Sequence, residues 1–366
     1  MDAVKQRLSH IKAHFSKKMF VKGLGVVFVL YVLIFTTVFF TKDATYQKHL
    51  DRLANKTTII NNLHAPSADS EHSGKTLTNA HVTDQDNQTV INKKYPNAKP
   101  LDAVPVAGLY QETPQGLIPM VREIDKLTPF KAYKRPFDMK AAKGKKIISL
   151  AIYDIGLSQI ASESALRSMP PEISFIISPY SQQPDLWTRQ ARSYGHETWL
   201  PLTVETDTFP RHDVGPHTMM IQSTQRENMR KFNWLLSSGV GYAGFVSPYN
   251  ARFLDSLGDA RPIIEDIAKR GLALVNASSY GNETLRSTFL TMNAPYADAP
   301  IWIDIPESQE NIRSKLKEIE DSATKNGYAA GIFNPVPVSY QEILKWVETL
   351  EEKGFMLAPL SVQTQL

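Results

Sequence analysis

The residues best placed to do chemistry are Tyr153 and Asp154, at the end of the apolar run Ile147-Ile-Ser-Leu-Ala-Ile-Tyr-Asp-Ile-Gly-Leu-Ser158. A buried strand that ends in an acid, then turns through glycine into a helix, is how α/β folds deliver a metal ligand or proton acceptor to the open face of a sheet. The same placement suits a carboxylate that accepts hydrogen bonds from the turn or caps the next helix. Both readings of Asp154 stand. Paired carboxylates divide acid and base roles or share an ion, and Tyr153 withholds the second acid. A tyrosine there packs with its hydroxyl satisfied, or touches a substrate. Glu205 is the nearest alternative partner, and with Asp154 it forms the candidate acid–base pair of a metal-free hydrolase.

His212, Asp213 and His217 cluster in one loop segment, and Asp154, His212 and His217 are the candidate metal set. Their spacing matches no helical His-x-x-x-His or His-Glu-x-x-His pattern. The competing reading is that Gly215-Pro216 and His217 shape the loop. His196, after Gly195 at a strand start, reads as structural. Arg252 offers forked donors for an anionic sugar or phosphate, or an ion pair to an acidic neighbour. Tyr180, Trp187, Trp199 and Tyr249 have faces suited to sugar rings, and such aromatics also build cores. The chain has no cysteine, which excludes disulfides, thiolate nucleophiles and Cys-ligated zinc. It has no G-x-G-x-x-G or Walker loop, so nucleotide binding has no support.

The elements that must position these residues follow from hydrophobic period and punctuation. Strands are expected at 146–153, 173–178, 197–202, 241–246, 272–276, 301–304, 328–333 and 356–359. They alternate with helices over 158–169, 183–194, 224–238, 258–270, 308–325 and 339–352, the first capped by Ser158. Short extended pieces around 108–138 wrap the domain. The alternation indicates a single barrel-like α/β domain over 104–366.

Ahead of it, residues 1–22 carry Lys5, Arg7, Lys12, Lys17, Lys18 and Lys22 against Asp2 alone, a balance of +5 in a chain of net +4. The remainder is therefore close to neutral, which argues against nucleic-acid binding. Residues 23–41 contain no charge and are long enough to span a bilayer as a helix. The basic flank predicts a cytoplasmic N-terminus and an exported body. No small-x-small cleavage site follows, so an uncleaved anchor is expected. Residues 42–103 are polar and lack periodicity, which predicts a flexible tether.

Taken in order, Tyr133–Asp138, Ala151–Ser158, Ile177-Ser-Pro-Tyr180, Gly195-His-Glu197, Phe209–Thr218 and Gly241-Tyr-Ala-Gly244 resemble the divergent polysaccharide deacetylase family over about 108–366. The resemblance implies a deformed (β/α) barrel, here of about seven strands, and an envelope-carbohydrate setting. In active relatives it implies a divalent metal held by Asp and His. It also implies that Tyr153 stands at the general-base aspartate. Pro201 and Pro248 stand where histidines are expected, Asn276 where an aspartate is, and Phe333-Asn334 where a Gly-His pair is. Proline has no side-chain donor and asparagine is a weak neutral ligand, whereas a hydrolytic site needs about three ligands and an open position. The expectation is a catalytically impaired protein of the plasma membrane, its domain in the periplasm. It would need no cofactor and would bind an envelope glycan or a protein partner through Tyr153, Tyr249, Asn250, Arg252 and Asn334. The alternative is an active deacetylase or hydrolase using Asp154 and Glu205, with zinc recruited by His212 and His217.

Overall fold

The computed structural model describes Tyr95 and residues 98–365, apart from Lys143 and Tyr280. The expected anchor at 23–41 and most of the expected tether lie outside these residues. Among the described residues no helix is long and apolar enough to cross a membrane.

The chain enters through a hairpin of β1 (Tyr110–Thr113) and β2 (Gly116–Pro119) and a short helix α1 (Pro129–Tyr133). Strand–helix alternation follows: β3 (Lys146–Ile155), α2 (Gln159–Ser168), β4 (Ser174–Ile177), α3 (Pro184–Ser193), β5 (Thr198–Pro201), α4 (Gln225–Leu236), β6 (Gly244–Val246), α5 (Leu257–Lys269) and β7 (Ala273–Asn276). Then come α6 (Glu283–Thr291), β8 (Tyr296–Asp298), β9 (Ile301–Trp302), α7 (Gln309–Asn326), β10 (Tyr328–Phe333), α8 (Pro337–Val347), β11 (Phe355–Ala358) and a final 3-10 turn, Leu360–Gln365.

All nine strands from β3 onward form one parallel sheet in the order β8-β7-β6-β5-β4-β3-β10-β9, with β11 beside the first half of β3. This exceeds the eight strands expected from the sequence pattern, and the seven or so implied by the resemblance, because β8 supplies a strand of its own. Along β3, Ile148, Leu150 and Ile152 face the helices, while Ala151 and Tyr153 face inward. The inner cluster joins Ala151, Ile176, Trp199, Val246, Val275, Ala297, Trp302 and Ile332, drawn from β3 through β10. Only a curled sheet brings them together, so the architecture is an incomplete barrel whose end strands, β8 and β9, do not pair. Small residues such as Ala243, Ala273 and Ala330 leave room inside for Trp199 and Trp302.

The lower end, where the strands begin, is filled by Phe130 of α1 and Leu360 of the final turn. The packed domain reaches back beyond Val104, since the Leu101 amide donates to the Arg192 carbonyl at 2.9 Å and Arg192 Nε donates to the Asp102 carbonyl at 3.1 Å. Ser158 caps α2 as expected, accepting from the Ala161 amide.

His196 is structural. It is fully buried, stacks on Phe175 with ring centroids 3.9 Å apart, and Nδ1 lies 2.9 Å from the Ile173 carbonyl, to which it donates as a neutral ring. Burial drives its pKa down to about 3. The folded state therefore resists a proton that the unfolded chain accepts below about pH 6.5. Stability from this group is complete above that pH and falls on acidification, by about 2 kcal/mol at pH 5. Urea melts of His196→Phe should gain stability relative to wild type as pH falls from 7 to 5, and a difference that does not change with pH would refute the assignment.

Candidate functional site

Asp154 lies at the upper end of β3, in the left-handed region at φ 57°. An aspartate tolerates this conformation at a cost, and strain of that kind gathers at functional sites. Its carboxylate is largely buried and has no hydrogen-bond partner among the described residues. Burial alone pushes its pKa up to about 6. Glycine follows because the turn is tight: Gly156 has φ 99°, and a Cβ there would come within 2.8 Å of Ser181 and 2.9 Å of Trp187. Beneath it Tyr153 is buried, its phenol held well above its usual pKa by burial and by the Asp154 charge, so it stays neutral.

The aromatic residues divide. Tyr153 packs on Trp302 at 5.2 Å, and the partly exposed Tyr249 meets the same indole edge-on at 6.0 Å. Trp302 is fixed by donating Nε1 to the Ala277 carbonyl at 2.8 Å. Trp199, by contrast, is wholly core. Tyr180 stacks on Trp234, and its hydroxyl accepts the His217 amide at 3.2 Å.

Glu205 is not joined to Asp154 by any hydrogen bond or electrostatic contact. Its Oε2 accepts the Ile221 amide at 2.9 Å, and its Oε1 lies 3.9 Å from an Arg252 guanidinium nitrogen. The partners of Glu205 are thus a backbone amide and an arginine, and Asp154 is not among them. Arg252 takes the ion-pair role with its head largely in solvent. Asn250, at φ 50°, donates to Asp207 at 2.9 Å and accepts from Ser279 at 2.6 Å. Asn250, Arg252 and Asn276 share the wall of a small cavity of about 80 Å³. Asn334 belongs to another network, donating backbone and side-chain N–H to Asp304 at 2.8 and 3.0 Å. Ser339 completes that carboxylate's shell at 2.7 Å, and burial raises the Asp304 pKa.

The candidate metal set is not assembled. His212 is exposed and pairs with Thr208, while His217 lies flat on Trp234 with centroids 3.6 Å apart. Asp213 accepts the Gly215 amide at 2.9 Å and the Thr218 hydroxyl at 3.1 Å, and a Cβ on Gly215 would run into the Tyr180 ring. The segment 212–218 is thus shaped for packing. Among the described residues no three His, Cys, Asp or Glu converge in a way that could hold a metal ion. The donor set does not fit the divalent metal implied by the family resemblance.

Two further acids stand at strand ends, outside the residues expected from the sequence. Asp298, closing β8, accepts from Tyr296 at 2.7 Å and Asn276 at 3.1 Å and pairs with Arg286. Asp304 follows β9. The rule that singled out Asp154, an acid at a strand's upper end, points to both.

The family model for divergent polysaccharide deacetylases matches residues 150–363. No curated protein matches the chain. The crystal structure of an uncharacterized protein from Agrobacterium tumefaciens C58 superposes with a TM-score of 0.63 at 26% identity, covering 68% of this chain and 99% of that one. A family 4 carbohydrate esterase from Streptomyces lividans in complex with acetate is 15% identical, with 57% and 90% of the two chains covered and a TM-score of 0.33. A peptidoglycan deacetylase from Bdellovibrio bacteriovorus is 12% identical, with 72% and 62% covered and a TM-score of 0.34. With most of its curled sheet inside the matched residues, the chain belongs to the divergent polysaccharide deacetylase family.

Proposed function

We propose that this protein is an envelope glycan-binding member of its family, anchored in the plasma membrane by residues 23–41, with a periplasmic domain that holds a saccharide at the barrel mouth and does not hydrolyse it. One observation carries the reading: the Asp154 carboxylate stands alone. A hydrolytic metal site lowers the pKa of a bound water by gathering several ligands around one ion. Here Pro201 and Pro248 supply no donor atom, and Asn334 is engaged by Asp304. What the mouth does offer is a carboxylate to accept sugar hydroxyls, and the exposed ring of Tyr249 on Trp302. The uncharged run at 23–41 behind a basic flank supports the anchor.

A second reading rests on Asp154 itself. With a pKa near 6 it is a competent general base close to neutral pH, and a metal-free deacetylation would start from such a group. One experiment separates the two. Membranes carrying the full chain are washed in alkaline carbonate, then incubated with acetylated envelope glycan. The protein should remain in the pellet, retain glycan, and release no more acetate than its Asp154→Asn variant. Acetate release that depends on Asp154 would establish the hydrolase, and loss of the protein from washed membranes would remove the anchor.

A further inference from the structure

Beside the Asp154 turn, between the start of α2 and the start of α3, lies a cavity of about 560 Å³. Its volume is within the roughly 300–1,000 Å³ of ligand-binding clefts. Gly156, Ser181, Gln182, Gln183, Trp187 and Gln190 line it. We infer that this groove is a second saccharide subsite, which takes an uncharged, polyhydroxylated ring of the same glycan chain whose neighbouring ring sits at Asp154. The inference rests on the glycan-binding reading above and deepens it.

Three observations carry it. The first is chemical. No lysine, arginine or histidine lines the groove, and its one acid, Glu163, is engaged by Gln159 at 3.0 Å and Arg167 at 2.9 Å. What remains are the amides of Gln182, Gln183 and Gln190, which have no side-chain partner among the described residues. An amide offers donors and an acceptor together, as each sugar hydroxyl does. Trp187, half-buried, supplies an apolar wall for the C–H face of a ring. The second is a vacant hydrogen bond. Ser181 is 8% exposed, yet its hydroxyl oxygen is buried with no partner. Buried hydroxyls are nearly always satisfied, and a ligand hydroxyl in the groove would satisfy this one. The third is continuity. Gly156 lies two residues after Asp154 and forms part of the groove wall, and Tyr180, another wall residue, feels the Asp154 charge. The groove thus adjoins the turn that carries Asp154, the position a neighbouring ring of one chain would need.

The test is calorimetric titration of the full-length protein with β-1,4-linked N-acetylglucosamine, from the monosaccharide to the tetrasaccharide. Wild type should bind the longer oligomers more tightly. The double variant Gln182→Ala/Gln190→Ala, and separately Ser181→Ala, should each lose about tenfold for the tetrasaccharide, about 1.4 kcal/mol, and nothing for the monosaccharide. Tyr249→Ala, at the mouth, should weaken every length. Groove variants that bind the tetrasaccharide as tightly as wild type, while Tyr249→Ala weakens it, would overturn the subsite and leave the mouth reading standing. Absence of saccharide binding by wild type would overturn both.

Discussion

Glu197→Ala should destabilise the domain by about 3–5 kcal/mol, measured by urea unfolding at neutral pH. Glu197 is buried at the lower end of the barrel, just before β5. Its Oε1 accepts from Trp199 Nε1 at 2.7 Å, the Ser361 amide at 3.0 Å and the Ser174 hydroxyl at 3.2 Å, and Oε2 accepts the Arg135 amide at 2.9 Å. One carboxylate thus ties the N-terminal wrap, two strands and the C-terminal turn. Removing it strands four donors in a dry interior, where each unmet group costs about 1–3 kcal/mol less whatever water reaches it. Glutamine keeps the shape but turns one acceptor into a donor facing donors, so Glu197→Gln should recover less than half of the loss. A cost below about 1 kcal/mol for alanine would show that water replaces the carboxylate, and that this hub is not what closes the barrel.

Much of the fold is legible in the sequence because buried parallel strands write their pattern locally. The run at 147–152 and the amphipathic α5 and α7 state their own period, and Ser158 marks its helix start by cap chemistry. What escapes is short or weakly patterned. α6 buries Leu285 and Phe289 alone, and β8 is three residues of Tyr-Ala-Asp, so neither carries enough signal against its polar setting. For the site, the order of motifs is enough to place Asp154 and name the family. Partnership is a different matter. Glu205 and Asp154 look equivalent as residue types, yet one is bonded to the Ile221 amide and the other to nothing. Glu197 reads as an ordinary strand residue because its partners include Arg135, 62 residues earlier, and Ser361, 164 later. Sequence periodicity reports which face is buried, and hydrogen-bond closure across the barrel is decided by topology.

Asp154→Asn should stabilise the protein by as much as roughly 3 kcal/mol at pH 8 and have little effect at pH 3.5. Asparagine keeps the left-handed backbone, since its short amide tolerates φ near 57° as aspartate does. The charge is what changes. Burial raises the folded pKa to about 6 from 3.8, so between those values the folded state binds more protons than the unfolded chain. Stability from this position is therefore greatest below about pH 4 and is lost as pH rises through 6. The slope runs opposite to that of His196, which gains stability over the same rise, so the wild-type curve should be flat where both act. Removing the aspartate should expose the His196 slope, and urea melts across pH 4–8 will show the two curves diverging upward. Curves that stay parallel would mean that the carboxylate finds solvent or a counter-ion and is not isolated. If they diverge, the chain keeps at its barrel mouth a charged group that costs more folding energy than most single contacts contribute, and a ligand that hydrogen-bonds to Asp154 would offset that cost.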